Sequence, residues 1–368
     1  MASQSFDRSH RSTTTLAERR IRHSAGSRLD LSGRVNRYGP PEAVLRALRT
    51  LSPRDLQAQP ADAASRLAER YAEVLGVDPG ELVAGRGPSE ALRAIAARAP
   101  RGSVAVLLPA PPEVLAIFPG RGVRRPEVDG LPAYAQVDEA MDNADLVVMS
   151  NPHALTGSVL DPTVLAQIAA RHPASTLVVD ETDIEFLANP GRATLIGTDA
   201  DNVIVLRSVA EFSGMGSTRT GVAWSRDRYL LRVLFDPRFS SPISGLDVVA
   251  TEAALASRVW AEAVRRQLVE DGGWLAHALA PLGTVADDHV TTPFRLLLTD
   301  RAEELAAGFA RHGVDVLLVG PAEGVHPGGL RIAAPRVSER AAFTTALRAV
   351  TAPAAAPDLT VLELGVAG

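Results

Sequence analysis

Two residue types are missing altogether: the chain has no cysteine and no lysine. Without cysteine there are no disulfides, no thiolate nucleophile and no cysteine-ligated metal, and the redox compartment stays open because either side accommodates the absence. Without lysine no side chain can form an imine with an aldehyde, and all 38 residues counted as Lys or Arg are arginines. No apolar run reaches the roughly 20 residues of a membrane-spanning helix. The first residues, MASQSFDRSHRSTTTLAERRIRHS, lack the apolar centre of a secretory signal, so a cytoplasmic protein is expected. A net charge of −5 gives no electrostatic reason to expect a nucleic-acid partner.

What is present is ordinary globular material. A chain of 368 residues, 46% hydrophobic and 22% charged, is long enough for two domains with substantial cores. Residues 1–28 carry Arg, Ser and Thr with little apolar periodicity and read as a mobile arm. Short apolar runs (SVAVLLP, VLAIF, ADLVVMS, STLVVDE, NVIVLRS, RTGVAWS) read as strands of a mostly parallel sheet covered by helices, the large domain at 29–250. A connecting helix is expected over 251–273 and a smaller α/β domain over 274–350. A Pro/Ala linker with an apolar tail follows at 351–368. Ligands of such sheets sit at the carboxyl ends of the strands.

Several motifs fall at those ends, in order. RLDLSGRVNRYGPPEAVLRALRTL (28–51) is followed by GRGPSE (85–90), NPHALTG (151–157), VVDETDIEF (178–186), VLRSVAEFSGMGSTRTGVAW (205–224) and GLRIAAP (329–335). This series resembles the fold-type I pyridoxal-phosphate (PLP) aminotransferases, class I/II, of the histidinol-phosphate aminotransferase and threonine-phosphate decarboxylase kind. Their corresponding segments read roughly L-x-x-N-x-N-P-Y-G-P-P, N-P-N-N-P-T-G, V-D-E-A-Y-x-x-F, R-T-F-S-K-A-F-G-L-A-G-L-R-x-G and L-R-I. The resemblance spans about residues 28 to 350 and implies aminotransferase fold type I.

Carried over residue by residue, the resemblance keeps some contacts and loses others. Asp180 falls on the aspartate that pairs with the pyridine nitrogen, Arg219 on the phosphate-binding arginine, and Arg331 on the arginine that clamps a substrate carboxylate. Ser208 and Ser89 lie on the phosphate side, with Asn151 and Tyr38 at the substrate side. Tyr38 alternatively packs beneath its loop, and 85–90 reads equally well as a phosphate cradle or as a plain helix start, since Pro88 offers no N–H. The lysine position carries Glu211. Ala154, Asp183 and Ala210 replace other expected contacts, and Ala116 stands where a ring-stacking aromatic belongs, with Phe118 two residues away. Drift from Lys to Arg under coding bias explains lost lysines elsewhere but does not give a glutamate.

The substitutions lean toward acid. With the fold in place, Asp180, Asp183 and Glu211 converge, and crowded carboxylates raise one another's pKa, giving a general acid beside a base. Glu211 and Asp183 are therefore the candidate catalytic residues, and no covalently bound cofactor is expected. The alternative is a collapsed loop with Glu211 facing water. His153, in the NPHALTG loop, makes a metal site with these carboxylates conceivable, but the spacing is not diagnostic and none is assigned. Three functions stay open: lysine-independent acid–base chemistry on a small amino-acid-like or anionic substrate; noncovalent use of PLP or pyridoxamine phosphate (PMP); or a non-catalytic partner subunit or ligand sensor. A homodimer is expected, or a heterodimer with an active homologue.

Overall fold

The computed structural model describes residues 28–57, 61–98, 103–123, 133–234, 243–286 and 291–351. The expected arm and the apolar tail therefore lie outside the described residues, apart from Arg28 and Thr351. The first strand is a two-residue piece, β1 (Leu29–Asp30). Next in chain order come β2 (Leu82–Gly85), β3 (Val104–Leu107), β4 (Gly122–Val123), β5 (Leu146–Ser150), β6 (Thr176–Asp180), β7 (Val203–Arg207) and β8 (Gly221–Trp224). These seven form one sheet in the order β2-β8-β7-β6-β5-β3-β4. β3 to β7 run parallel to one another, while β8 is antiparallel to both β7 and β2.

The sheet is covered on both faces, which is why its strands read as unbroken apolar runs rather than alternating ones. One face packs with Leu67 and Tyr71 of the helix Ala63–Leu75 and with Leu165 and Ile168 of Pro162–Arg171. The other packs with Leu92 and Ile95 of Pro88–Arg98. VLAIF, expected as a strand, is the end of a helix, Pro112–Ile117. Pro111 and Pro112 start that helix, a position that needs no N–H donor. The strand of this region is instead β4, at the sheet edge.

The C-terminal part holds a second, antiparallel sheet in the order β12-β13-β10-β9, from β9 (Thr284–Ala286), β10 (Phe294–Leu298), β12 (Leu317–Val319) and β13 (Gly329–Ala333). Helices Ala302–Arg311 and Arg340–Thr351 close its core through Phe309 and Phe343. Between the two sheets the chain makes helices Gly245–Ala256 and Arg258–Leu279, broken at Ser257.

Residues 28–41 act as a strap joining the two sheets. β1 pairs in parallel with β11 (Val314–Asp315) of the smaller domain, and the Ala333 N–H donates to the Leu31 carbonyl at 2.9 Å. A few residues on, the Asn36 N–H donates to the Glu211 carbonyl at 2.9 Å, and its side-chain amide donates to the Phe212 carbonyl at 2.8 Å. Two glycines seat this crossing. A Cβ on Gly214, whose φ is +69°, would lie 2.6 Å from the Gly39 backbone, and one on Gly216 would lie 2.7 Å from Val35.

Candidate functional site

Parallel pairing sets the carboxyl ends of β5, β6 and β7 side by side, with Ser150 opposite Asp180 and Asp180 opposite Leu206. The loops leaving these ends carry the motif residues. Asp180 closes β6 and accepts from Thr182 through both its N–H, at 2.9 Å, and its hydroxyl. Asp183 follows in the turn before the short 3-10 helix Ile184–Phe186. Glu211 sits half-buried in the turn after β7, a turn held by the Ser213 N–H on the Val209 carbonyl (2.8 Å) and the Met215 N–H on the Ala210 carbonyl (2.8 Å). Tyr71, buried beneath, accepts from the Val209 N–H at 3.2 Å.

Into this end of the sheet the strap inserts Arg34. Its Nη1 donates to Asp183 Oδ2 at 2.7 Å, with the Asp183 side chain 1% exposed and that of Arg34 18%. Asp183 Oδ1 is buried and has no hydrogen-bond partner among the described residues. Burial alone would lower the Arg34 pKa, but the carboxylates of Asp183, Glu113, Asp180 and Glu211 outweigh it and hold the guanidinium above its ordinary value. Burial raises the Asp180 carboxyl above the usual range, with Arg34 pulling the other way. Of the three expected carboxylates, Asp183 is the one in direct contact with Arg34.

Glu181, the neighbour of Asp180, belongs to a separate buried network. It accepts from the Leu195 N–H at 2.7 Å and from the Thr194 hydroxyl at 2.6 Å, with Arg207 Nη1 at 3.5 Å. Arg207 also donates to Glu185 at 2.6 Å, and Arg265 donates to the other oxygen of Glu185 at 2.5 Å. Burial pushes Glu181 up to about 7 against the pull of Arg207.

The remaining candidates are engaged elsewhere. Arg219 is exposed and folds back, with Nη1 donating to the carbonyls of Gly216 and Thr218 at 2.8 Å each. Ser208 is buried and donates to the Thr220 carbonyl at 2.8 Å. Ser89 is exposed in the first turn of Pro88–Arg98, where the Glu90 carboxylate accepts from the Arg86 N–H at 2.8 Å. The Asn151 side chain staples its own loop, donating to the Leu160 carbonyl at 3.0 Å and accepting from the Leu160 N–H at 2.9 Å. Tyr38 takes the packing role: it joins Phe186, Phe212 and Leu268, and its hydroxyl donates to Asp271 at 2.7 Å.

Arg331 is buried, and donates to the Ser32 carbonyl at 2.7 Å and the Ala154 carbonyl at 3.2 Å, tying strap to NPHALTG loop. His153 bonds the Pro109 carbonyl at 2.9 Å through Nε2, and burial lowers its pKa. No group of metal-ligating side chains occurs among the described residues. Ala116 is exposed on its helix, and Phe118 is buried in the core beneath.

No expectation from the sequence falls on Arg34. The signal was nevertheless present. Laid on L-x-x-N-x-N-P-Y-G-P-P, the strap keeps Leu31, Asn36, Tyr38, Gly39, Pro40 and Pro41, and departs at Arg34 and Arg37. Both departures are arginines with ion-pair partners, Arg34 on Asp183 and Arg37 on Glu339 at 2.8 Å.

Comparison with solved structures defines the architecture as that of fold-type I PLP enzymes. Histidinol-phosphate aminotransferase from Sinorhizobium meliloti, in complex with pyridoxal-5'-phosphate, superposes with a TM-score of 0.77 over 90% of this chain and 92% of that one, at 22% identity. L-threonine-O-3-phosphate decarboxylase from Porphyromonas gingivalis gives 0.71 over 87% and 98%, at 21% identity. In sequence, the chain is 28% identical to the histidinol-phosphate aminotransferase of Symbiobacterium thermophilum over 333 residues, covering 87% of this chain and 89% of the relative. It is 29% identical to histidinol-phosphate aminotransferase 2 of Burkholderia mallei over 269 residues, covering 69% and 73%. The profile of aminotransferase class I and II matches residues 28–271, and the chain belongs to that family.

Proposed function

We propose that this chain is a repurposed member of the aminotransferase family, in amino-acid or specialised metabolism, whose cofactor end has become an acidic site for a small amino-acid-like ligand. The observation that carries this is the 2.7 Å salt bridge of Arg34 on the buried Asp183, three residues past Asp180 at the carboxyl end of β6, in a chain without lysine. PLP as a covalently anchored group does not fit these residues. There is no amine to form the imine, and the arginine matching its phosphate partner is folded onto its own loop carbonyls. Asp180, with its raised pKa, beside the salt-bridged Asp183 supplies carboxyls in unlike environments, the arrangement for general acid–base work without a lysine. Glu211 is the second base candidate. The test is a thermal-shift and calorimetric screen of amino acids, amines, PLP and PMP, followed by Glu211→Ala. Retention of turnover in that variant, on a substrate so found, removes the catalytic role.

Noncovalent PLP or PMP is a second reading, favoured by retention of Asp180 and Arg219. It requires Arg219 to turn away from Gly216 and Thr218. An absorbance band that dialysis removes supports it, and a featureless spectrum at saturating PLP excludes it.

The engagement of Arg331, Ser208 and Asn151 with the chain's own backbone favours a third, non-catalytic reading: partner subunit or ligand sensor. A homodimer is proposed for the catalytic readings, and co-purification with an active homologue distinguishes this one. No helix among the described residues is long and apolar enough to cross a membrane.

A further inference from the structure

We infer that Arg34 is the tethered occupant of a guanidinium site centred on Asp183, and that the free ligand of this site is a small alkylguanidinium compound that displaces Arg34. This rests on the acidic-site reading above and deepens it, by naming the ligand chemistry and the group it must displace.

Geometry carries the argument. A carboxylate and a guanidinium match as two parallel N–H···O bonds, which satisfies both oxygens at once. Arg34 makes only one of the two: Nη1 reaches Oδ2 at 2.7 Å, while Oδ1 stays buried without a hydrogen-bond partner. The strap explains the shortfall. Its backbone is fixed on both sides of Arg34, by Arg331 on the Ser32 carbonyl and by Asn36 on the Glu211 carbonyl, so the guanidinium arrives at an angle set by the tether. A free alkylguanidinium has no such constraint and can present its fork to both oxygens. A compact ammonium has no planar fork to offer.

Charge and access agree with this. The carboxylates of Asp183, Glu113, Asp180 and Glu211 hold the Arg34 guanidinium above its ordinary pKa, so the surroundings favour a cation there. The Arg34 side chain retains some exposure, and a small cleft lined by Arg34, Asn36, Tyr38, Phe294 and Ala334 opens beside it.

The experiment is calorimetric titration of the full chain and of Arg34→Gln and Asp183→Asn with two probes of equal charge, methylguanidinium and methylammonium. The apparent Kd of the wild type is weakened by the fraction of time Arg34 fills the site, so Arg34→Gln should bind methylguanidinium at least ~10-fold more tightly. Asp183→Asn should abolish binding, methylammonium should bind more weakly than methylguanidinium throughout, and methylguanidinium should raise the melting temperature of Arg34→Gln more than that of the wild type. Equal methylguanidinium affinity in wild type and Arg34→Gln overturns the inference and leaves the acidic-site reading standing. Methylammonium binding as well as methylguanidinium overturns the choice of guanidinium. No cation bound by either folded protein overturns inference and reading together. If Arg34→Gln does not fold, the wild type still decides. The Arg34 Nε–H resonance must move when methylguanidinium saturates the protein, and an unmoved resonance with probe bound overturns the proposal.

Discussion

Arg34 and Asp183 lie 149 residues apart in sequence and meet at 2.7 Å, and each departs from the family pattern at its own position. An asparagine and a tyrosine are replaced by a cation and an anion that bond each other. The two changes read as one. Asp183 alone would be a buried carboxylate without the guanidinium now beside it.

Their coupling is measurable by a double-mutant cycle. Breaking a buried pair by removing one partner costs on the order of 3 kcal/mol, because the other charge is left uncompensated. Arg34→Ala and Asp183→Ala should each lower the urea midpoint accordingly, and the double variant should fall short of their sum by at least ~1 kcal/mol. Strict additivity would show that the pair is a bystander.

Classical transamination by this chain alone should be blank. With saturating PLP, an amino donor and a 2-oxo acid, the wild type should show no rate above the protein-free control, since the chain contains no lysine. Glu211→Ala should still fold, because the turn around it is held by backbone bonds. A clear transamination rate in the wild type contradicts the placement of Glu211 at the lysine position.

Glu181 gives the stability a predictable pH dependence. Its folded pKa of about 7 lies above the ordinary glutamate value, so the folded state binds this proton more tightly than the unfolded chain. The resulting stabilisation is complete below the ordinary value of about 4.3 and is lost as pH rises through about 7. Glu181→Gln, which stays neutral, should gain on the wild type over that window by on the order of 1–3 kcal/mol. Melting temperatures at pH 5 and pH 8 test the sign, and a gap that narrows with rising pH refutes it.

Gly214→Ala should be costly out of proportion to one methyl group. The site has a positive φ, and the new Cβ would lie 2.6 Å from the Gly39 backbone, so the strap must shift. Expected destabilisation is about 1–3 kcal/mol. Hydrogen exchange should speed up at the Asn36 amide, which is bonded to Glu211. Unchanged exchange there means the strap is not seated on this glycine.

The large sheet was legible because its strands are short apolar runs and its loops carry ordered motifs. VLAIF misled because its five apolar residues suit a buried helix end as well as a strand, and the deciding feature was the Pro111–Pro112 pair before it. Arg34 stayed hidden for a different reason. A motif shows which contact has been lost, but the side chain that fills the space comes from a remote segment, and only the fold brings them together. Arg331 and Arg219 show the converse: residue type and position match the pattern, yet the donors are spent on carbonyls of the chain itself.

The strap bonds to β11 and Ala333 on one side and to the Glu211 turn on the other, with Arg34 between them. Were a cation to displace Arg34 from Asp183 as inferred, its binding and the docking of residues 29–38 would be linked equilibria, and linkage is reciprocal. A ligand that evicts Arg34 loosens the strap by the same free energy with which a firmly docked strap resists the ligand. The chemical state of one carboxylate is in this way reported to both domains at once.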